Sequence, residues 1–235
     1  MFMHRKNYWV YFNHSCSLCG ATSDVHHGIC TDCHSDLPWL LGSCRRCALP
    51  LPSTAPPGSL CGRCIQTPPA FDRTLAAFHY DFPLSQLLPR IKYQRQPAHL
   101  GWLGRVLAAF LQQQYEADWP LALCAVPMHP LSELKRGFNQ AQLLAEVLAR
   151  QLQLPLTPCL NKTRRTPHQM SLGLDERRHN LQQAFRITRP PARHIALVDD
   201  VMTTGTTVNT LAELLKQAGA ERVDIWVLAR TPEVR

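Results

Sequence analysis

Residues 195–207, Ile-Ala-Leu-Val-Asp-Asp-Val-Met-Thr-Thr-Gly-Thr-Thr, restrict what this chain can fold into more than any other stretch. The apolar run 195–198 is short and ends at two acids, as expected of a strand buried on both faces. Val208, Leu211, Ala212, Leu215 and Ala218 then recur at helical spacing, with Gly219 where a helix C-cap is expected. Residues 223–229 form a second, largely apolar run. The unit reads as βαβ with a right-handed crossover, hence part of a parallel sheet flanked by helices.

The turn inside this unit suits a phosphate. Gly205 lets the backbone approach closely, and the helix N-terminus presents unpaired N–H groups with positive partial charge. Thr203, Thr204, Thr206 and Thr207 add hydroxyl donors. Asp199 and Asp200 sit at the carboxyl end of the strand, where open α/β sheets bind ligands. Two acids would repel a bare phosphate. They suit a sugar phosphate, whose ribose hydroxyls donate to carboxylates while amides hold the 5′-phosphate. The string is similar to the PRPP (phosphoribosyl pyrophosphate) motif of type I phosphoribosyltransferases; the plainer reading is an Asp-rich helix cap in an ordinary βαβ unit. Its length and order favour the first. No Walker loop or Gly-x-Gly-x-x-Gly fingerprint occurs, which argues against nucleoside triphosphatases and dinucleotide enzymes.

Four C-x-x-C pairs occupy the N-terminal quarter: Cys16/Cys19, Cys30/Cys33, Cys44/Cys47 and Cys61/Cys64. Each pair can give two sulfurs to a tetrahedral metal, and two pairs complete a closed, structural Zn²⁺ site. A thioredoxin-like redox role needs one such pair before a helix, and disulfides do not suit a reducing compartment. Pairing in sequence gives one site from Cys16, Cys19, Cys30 and Cys33 and another from Cys44, Cys47, Cys61 and Cys64. Interleaved pairing remains open on spacing alone; sequential pairing is favoured because each half closes a short loop. His14, His26, His27 and His34 lie nearby but are surplus to the ligand count. A segment this small needs its metals to fold. Cys124 and Cys159 stand apart and read as core residues.

A length of 235 residues suits a core domain plus a small module, and 45% hydrophobic content is ordinary for a soluble globular chain. The apolar patch at 8–12 is too short, and too closely bracketed by Asn7 and Asn13, for a signal peptide. No apolar run approaches membrane-spanning length, so a soluble, cytoplasmic protein is expected. The formal charge of +8 favours anionic partners. Eight thiolates on two Zn²⁺ would lower it to about +4. The charge is uneven: from 162 to 193, eight basic residues face only Asp175 and Glu176.

Prolines at 50, 52, 56 and 57 make a loop between the last two knuckles, and Pro68-Pro69 closes the module. Residues 74–80 read as a strand. Residues 84–93 read as a short helix that Pro89 interrupts. Leu103, Val106, Leu107, Phe110 and Leu111 form the stripe of a helix packed on a sheet. Residues 121–126 read as a strand, followed by Lys135-Arg136-Gly137-Phe138-Asn139-Gln140 opening another helix. Cations and a glycine between strand and helix are a candidate second anion site. The polar, basic stretch from Lys162 through Arg164 and Arg177 reads as a long loop leading to a short helix, hence a candidate lid.

Together these features resemble the ComF/GntX family. The resemblance covers the four knuckles, Val126-Pro127, Arg136 to Gln140, the spaced set Arg164, Thr166, Gln169, Leu172, Arg177 and Asn180, and the Asp-Asp turn. Pro89 departs from the family pattern. The resemblance implies a double zinc ribbon over 1–70 and an α/β domain over 71–235 of the type I phosphoribosyltransferase-like class, a Rossmann-like parallel sheet with flanking helices. It implies that Asp199 and Asp200 hold the ribose hydroxyls and are the catalytic pair, with Mg²⁺ bridging ribose and pyrophosphate. Val201, Met202, Thr203, Thr204, Gly205, Thr206 and Thr207 would line the 5′-phosphate site; Arg136, Lys162, Arg164 and Arg177 would neutralise pyrophosphate. The family is linked to natural transformation, so the implied partners are PRPP, single-stranded DNA and helicase or recombination proteins of DNA uptake. Three functions follow: a phosphoribosyltransferase with an unidentified acceptor, a module that handles single-stranded DNA, or a PRPP-sensing regulator.

Overall fold

Cysteine spacing dictates the start of the chain. The structure, a computed structural model, describes residues 15–164 and 183–232. A two-residue hairpin, β1 (Val25–His26) and β2 (Ile29–Cys30), leads into the short helix α1 (Thr31–Ser35). A second knuckle pair ends in α2 (Gly62–Gln66). Both helices begin immediately after a cysteine of a knuckle, at Cys30 and Cys61.

The α/β part begins with β3 (Arg73–His79), α3 (Leu84–Tyr93) and α4 (His99–Gln114). Next come β4 (Ala122–Ala125), α5 (Pro130–Arg136), α6 (Gln140–Leu152) and β5 (Leu160–Lys162). After the undescribed stretch follow β6 (Phe185–Ile187), β7 (His194–Met202), α7 (Thr206–Gln217) and β8 (Arg222–Arg230). The main sheet has the order β3-β8-β7-β4, every pairing parallel. Leu123 also exchanges backbone bonds with Pro155 and Thr157, adding a short parallel edge beyond β4. Residues 195–198 and 223–229 are fully enclosed, as strands covered on both faces must be.

Three expectations change. Pro89 lies inside α3, which continues through it. The helix buries Leu84, Leu87, Leu88 and Ile91, and that apolar face outweighs one lost backbone bond. Residues 130–136, of which the sequence reading takes only Lys135 and Arg136 as the opening of the next helix, form a separate helix, α5. His129 caps its start through Nδ1, Pro130 takes the first turn, and Gly137 ends it in the left-handed region at φ 94°. Lys162, expected in a mobile loop, lies on β5 and pairs with Phe185 of β6. The two strands form a hairpin whose intervening residues 165–182 lie outside the described residues, as does the helix expected there.

The two cysteine modules dock on different parts of the sheet domain. Residues 38–40 run along the outer edge of β3: Leu40 N–H bonds Ala77 O at 2.9 Å and His79 N–H bonds Pro38 O at 2.8 Å. Trp39 packs on Phe78, ring centroids 4.7 Å apart. This strand-like addition covers an edge that would otherwise expose unpaired backbone groups. Arg105 of α4 donates to His27 O at 3.0 Å. The second module instead faces α7 and the turn that precedes it.

Candidate functional site

Eight sulfurs gather into two groups, Cys16/Cys19/Cys30/Cys33 and Cys44/Cys47/Cys61/Cys64, with the ligand atoms of each within 4.8 Å of one another. Pairing is therefore sequential. A tetrahedral Zn–S₄ centre has sulfur–sulfur edges of about 3.8 Å. Cys19 and Cys30 are 3.7 Å apart, and Cys47 and Cys61 3.6 Å. Backbone N–H groups also point at the sulfurs, from Leu18 to Cys16 at 3.5 Å and from Cys61 to Cys44 at 3.2 Å. Burial raises the Cys16 and Cys44 thiols, yet such donors outweigh it and hold them at about 6 and about 7. Both clusters fit Zn²⁺ as closed structural sites. His26 and His27 are exposed, and His34 packs on Trp39 at 4.9 Å. Cys124 and Cys159 are buried in the core.

The acid pair lies where β7 outlasts its neighbour. β4 ends at Ala125, opposite Val198, while β7 continues to Met202 along β8. Asp199 and Asp200 are thus paired on one side only and open a crevice at the strand ends. Asp200 is 7% exposed and meets Lys92 Nζ of α3 at 2.9 Å from Oδ2. Asp199 Oδ1 accepts from Asp200 N at 2.9 Å, and Asp200 Oδ1 from Val201 N at 3.0 Å. Desolvation first, and repulsion from Asp200 second, raise Asp199 well above the ordinary carboxylate range. Burial disfavours the charged form of Lys92, but Asp200 and Asp199 more than compensate and raise it. Arg136 is close enough to act on Lys92 in the opposite sense.

The turn follows at once. Met202 is buried and the hydroxyl-bearing Thr203, Thr204 and Thr206 are exposed. Gly205 caps α7 at φ 76°, and a Cβ there would lie 2.6 Å from Met202 Cε. Thr204 and Thr206 hydroxyls bond each other at 2.9 Å. Thr206 N–H bonds Thr204 Oγ1 at 3.4 Å, and the first N–H groups of α7 have no intrahelical acceptor, with the helix dipole behind them. Two acidic side chains and a helix N-terminus therefore lie within a few residues of each other on one strand–turn–helix.

The cations distribute differently from expectation. Arg136 closes α5, so it does not stand at a helix start; its Nη1 donates to Gln140 Oε1 at 2.7 Å. It nevertheless belongs to the electrostatic surroundings of Lys92. Lys162 sits 5.2 Å over the Phe185 ring, and burial lowers it. Arg164 donates to Gln183 at 3.0 Å. Both serve the β5–β6 hairpin and make no described contact with the acids. Arg177 lies outside the described residues. Lys92, to which the sequence reading gives no role, is the cation in contact with the acid pair among the described residues. Its only signal was a lysine one step beyond the buried Leu84, Leu87, Leu88, Ile91 face.

A cavity of about 470 Å³ lies between the second cysteine module and the turn. Cys47, Cys61 and Cys64 border it on one side, and Thr204, Gly205 and Thr206 on the other. Arg230 contributes to its wall.

Two family models match the chain: a double zinc ribbon domain over residues 9–65 and a phosphoribosyl transferase domain over residues 139–235. The chain is 34% identical to Competence protein F of Haemophilus influenzae over 233 residues, 94% of this chain and 98% of that protein. It is 35% identical to DNA utilization protein YhgH of Escherichia coli, covering 92% of this chain and 96% of that protein. Competence protein ComFC of Bacillus subtilis is 26% identical over 93% of this chain and 78% of that protein. Among solved structures, a purine phosphoribosyltransferase from Pyrococcus horikoshii aligns over 57% of this chain and 84% of its own, with TM-score 0.36 and 18% identity.

Proposed function

The chain belongs to the family of Competence protein F and DNA utilization protein YhgH, and on that footing we propose that it binds PRPP and acts in the handling of imported single-stranded DNA. The observation that carries the PRPP reading is the continuity of Asp199, Asp200 and the Thr203–Thr207 turn at the open end of β7. Carboxylates there accept the ribose hydroxyls, and the turn's amides and hydroxyls take the 5′-phosphate. Lys92 and Arg136 stand ready for the negative charge of pyrophosphate.

Phosphoribosyl transfer passes through an oxocarbenium-like state. In this reading the chain orients the diol through Asp199 and Asp200, stabilises departing pyrophosphate with Lys92 and Arg136, and excludes water. Asp199 and Asp200, with substrate oxygens, would hold a Mg²⁺ brought in with PRPP, and the ion would offset the charge of the diphosphate. Two carboxylates and substrate oxygens suit that ion, which keeps several waters and uses few protein ligands. Residues 1–70 serve as the structural zinc ribbon and 71–235 as the PRPP-binding domain. Pyrophosphate release from PRPP with candidate acceptors, compared with Asp200→Asn, tests the transfer step; no Asp200-dependent release refutes it.

A specific surface supports the DNA reading. Tyr93 is 78% exposed at the end of α3, directly after Lys92. Arg90, Arg95 and Lys135 are exposed around it, and Arg95 Nη2 bonds Lys135 O at 2.9 Å, joining the ends of α3 and α5. An exposed ring among cations is what a base and its phosphates require. Oligonucleotide anisotropy over a salt series, with Tyr93→Ala, tests it; binding indifferent to salt and to Tyr93 refutes it.

A further inference from the structure

Arg230 joins two parts of the molecule that the sequence separates widely. It ends β8, opposite Met202 in the parallel register, and is 4% exposed. Its Nε donates to Cys47 O at 3.0 Å. Its Nη1 donates to Met202 O at 3.2 Å, to Thr203 O, and to Thr231 O at 2.7 Å. One buried guanidinium thus serves a carbonyl of the second cysteine module and two carbonyls of the phosphate turn. Across a trans peptide the C=O and the next N–H point in opposite directions. Carbonyls 202 and 203 drawn toward Arg230 therefore turn the amides of Thr203 and Thr204 away from it.

The second module has other holds on the same region. Ala70 N–H bonds Asn209 Oδ1 of α7 at 2.7 Å, and Cys47, Cys61 and Cys64 wall the cavity that also borders Thr204 to Thr206. The first module's described contacts are with β3 and α4 instead.

We infer that Arg230 is a positioning residue through which the metal centre at Cys44, Cys47, Cys61 and Cys64 sets the shape of the phosphate turn, while the centre at Cys16, Cys19, Cys30 and Cys33 does not. The ligand this regulates rests on the PRPP reading above; the mechanical coupling does not. Linkage is reciprocal: if the second Zn²⁺ favours the binding form of the turn, PRPP must favour retention of that Zn²⁺ by the same factor.

Hydrogen exchange at amides 203–207 of the full chain tests the coupling, with amides 195–198 of β7 reporting on the core. Loss of the second metal through Cys64→Ser is expected to speed exchange at 203–207 about tenfold, the worth of one lost charge-assisted bond. Loss of the first metal through Cys33→Ser leaves it unchanged. Arg230→Met gives the same increase with both Zn²⁺ retained, and adding Cys64→Ser to it gives no further increase. Equal effects of the two cysteine changes, or additive effects of Arg230→Met and Cys64→Ser, overturn the proposal. Should Arg230→Met disturb β7, the comparison of Cys64→Ser with Cys33→Ser in the native background still decides. Calorimetry with PRPP on the same proteins separates the two ideas. Coupled exchange without PRPP heat removes the ligand reading alone, and PRPP binding without coupled exchange removes this one alone.

Discussion

Lys92 Nζ lies 2.9 Å from Asp200 Oδ2, so α3 supplies a cation to the acid pair at the end of β7. With Asp199 beside them, two acidic side chains flank one ammonium, which Asp200 alone contacts. On the PRPP reading proposed above, a substrate diol replaces part of that pairing and leaves the ammonium placed for a phosphate oxygen. Lys92→Gln is expected to weaken PRPP binding about tenfold or more, the worth of a charge-assisted contact. Calorimetric titration of the variant checks this; unchanged affinity excludes Lys92 from the site.

Asp199 makes the pair sensitive to pH. Its carboxyl is pushed up to about 8, first by desolvation and then by Asp200. A raised carboxyl gives stability that is complete below the unfolded value of about 3.9 and lost as pH rises through the folded value. Asp199→Asn is therefore expected to raise the melting temperature at pH 9 and to change it little at pH 4. The same variant loses PRPP affinity. Thermal melts at the two pH values settle the sign.

Gly205 is required by backbone and space together. At φ 76° an L side chain costs about 1–2 kcal/mol, and its Cβ would also meet Met202 Cε. Gly205→Ala is expected to destabilise the chain by about that amount and to reduce phosphate binding. Since the Met202 tip can move, Gly205→Ala combined with Met202→Ala should not recover affinity. Full recovery would place the whole effect in the clash.

Metal content bears on stability directly. The full chain is expected to carry two Zn²⁺, and a strong chelator is expected to lower its melting temperature in two steps. Elemental analysis and melts during chelation check both points. Stoichiometry below two, with melting unchanged, contradicts the closed-site reading.

Much of the arrangement was legible because it is written locally. Residues 195–218 carry strand, acids, turn and helix within one continuous pattern, and C-x-x-C spacing announces its own chemistry. Distant contacts were not legible. Lys92 reaches Asp200 from α3, and nothing near Ile91-Lys92-Tyr93 signals a carboxylate partner. Arg230 reads as the polar end of an apolar strand until Cys47 O and Met202 O are seen around it. Lys162 shows the converse error. Its basic, aperiodic neighbourhood reads as a lid, yet pairing with Phe185 makes Lys162 part of a hairpin. The sequence places Arg136 at a helix start, but His129 and Gly137 define a separate helix that it ends.

Calorimetric titration of the zinc-loaded full chain with Mg²⁺-PRPP addresses the central claim most directly, with ribose 5-phosphate and pyrophosphate as controls. Binding of one equivalent, tighter than either fragment and lost in Asp200→Asn, is the result this structure predicts. No heat with PRPP, or binding that Asp200→Asn leaves intact, would contradict it.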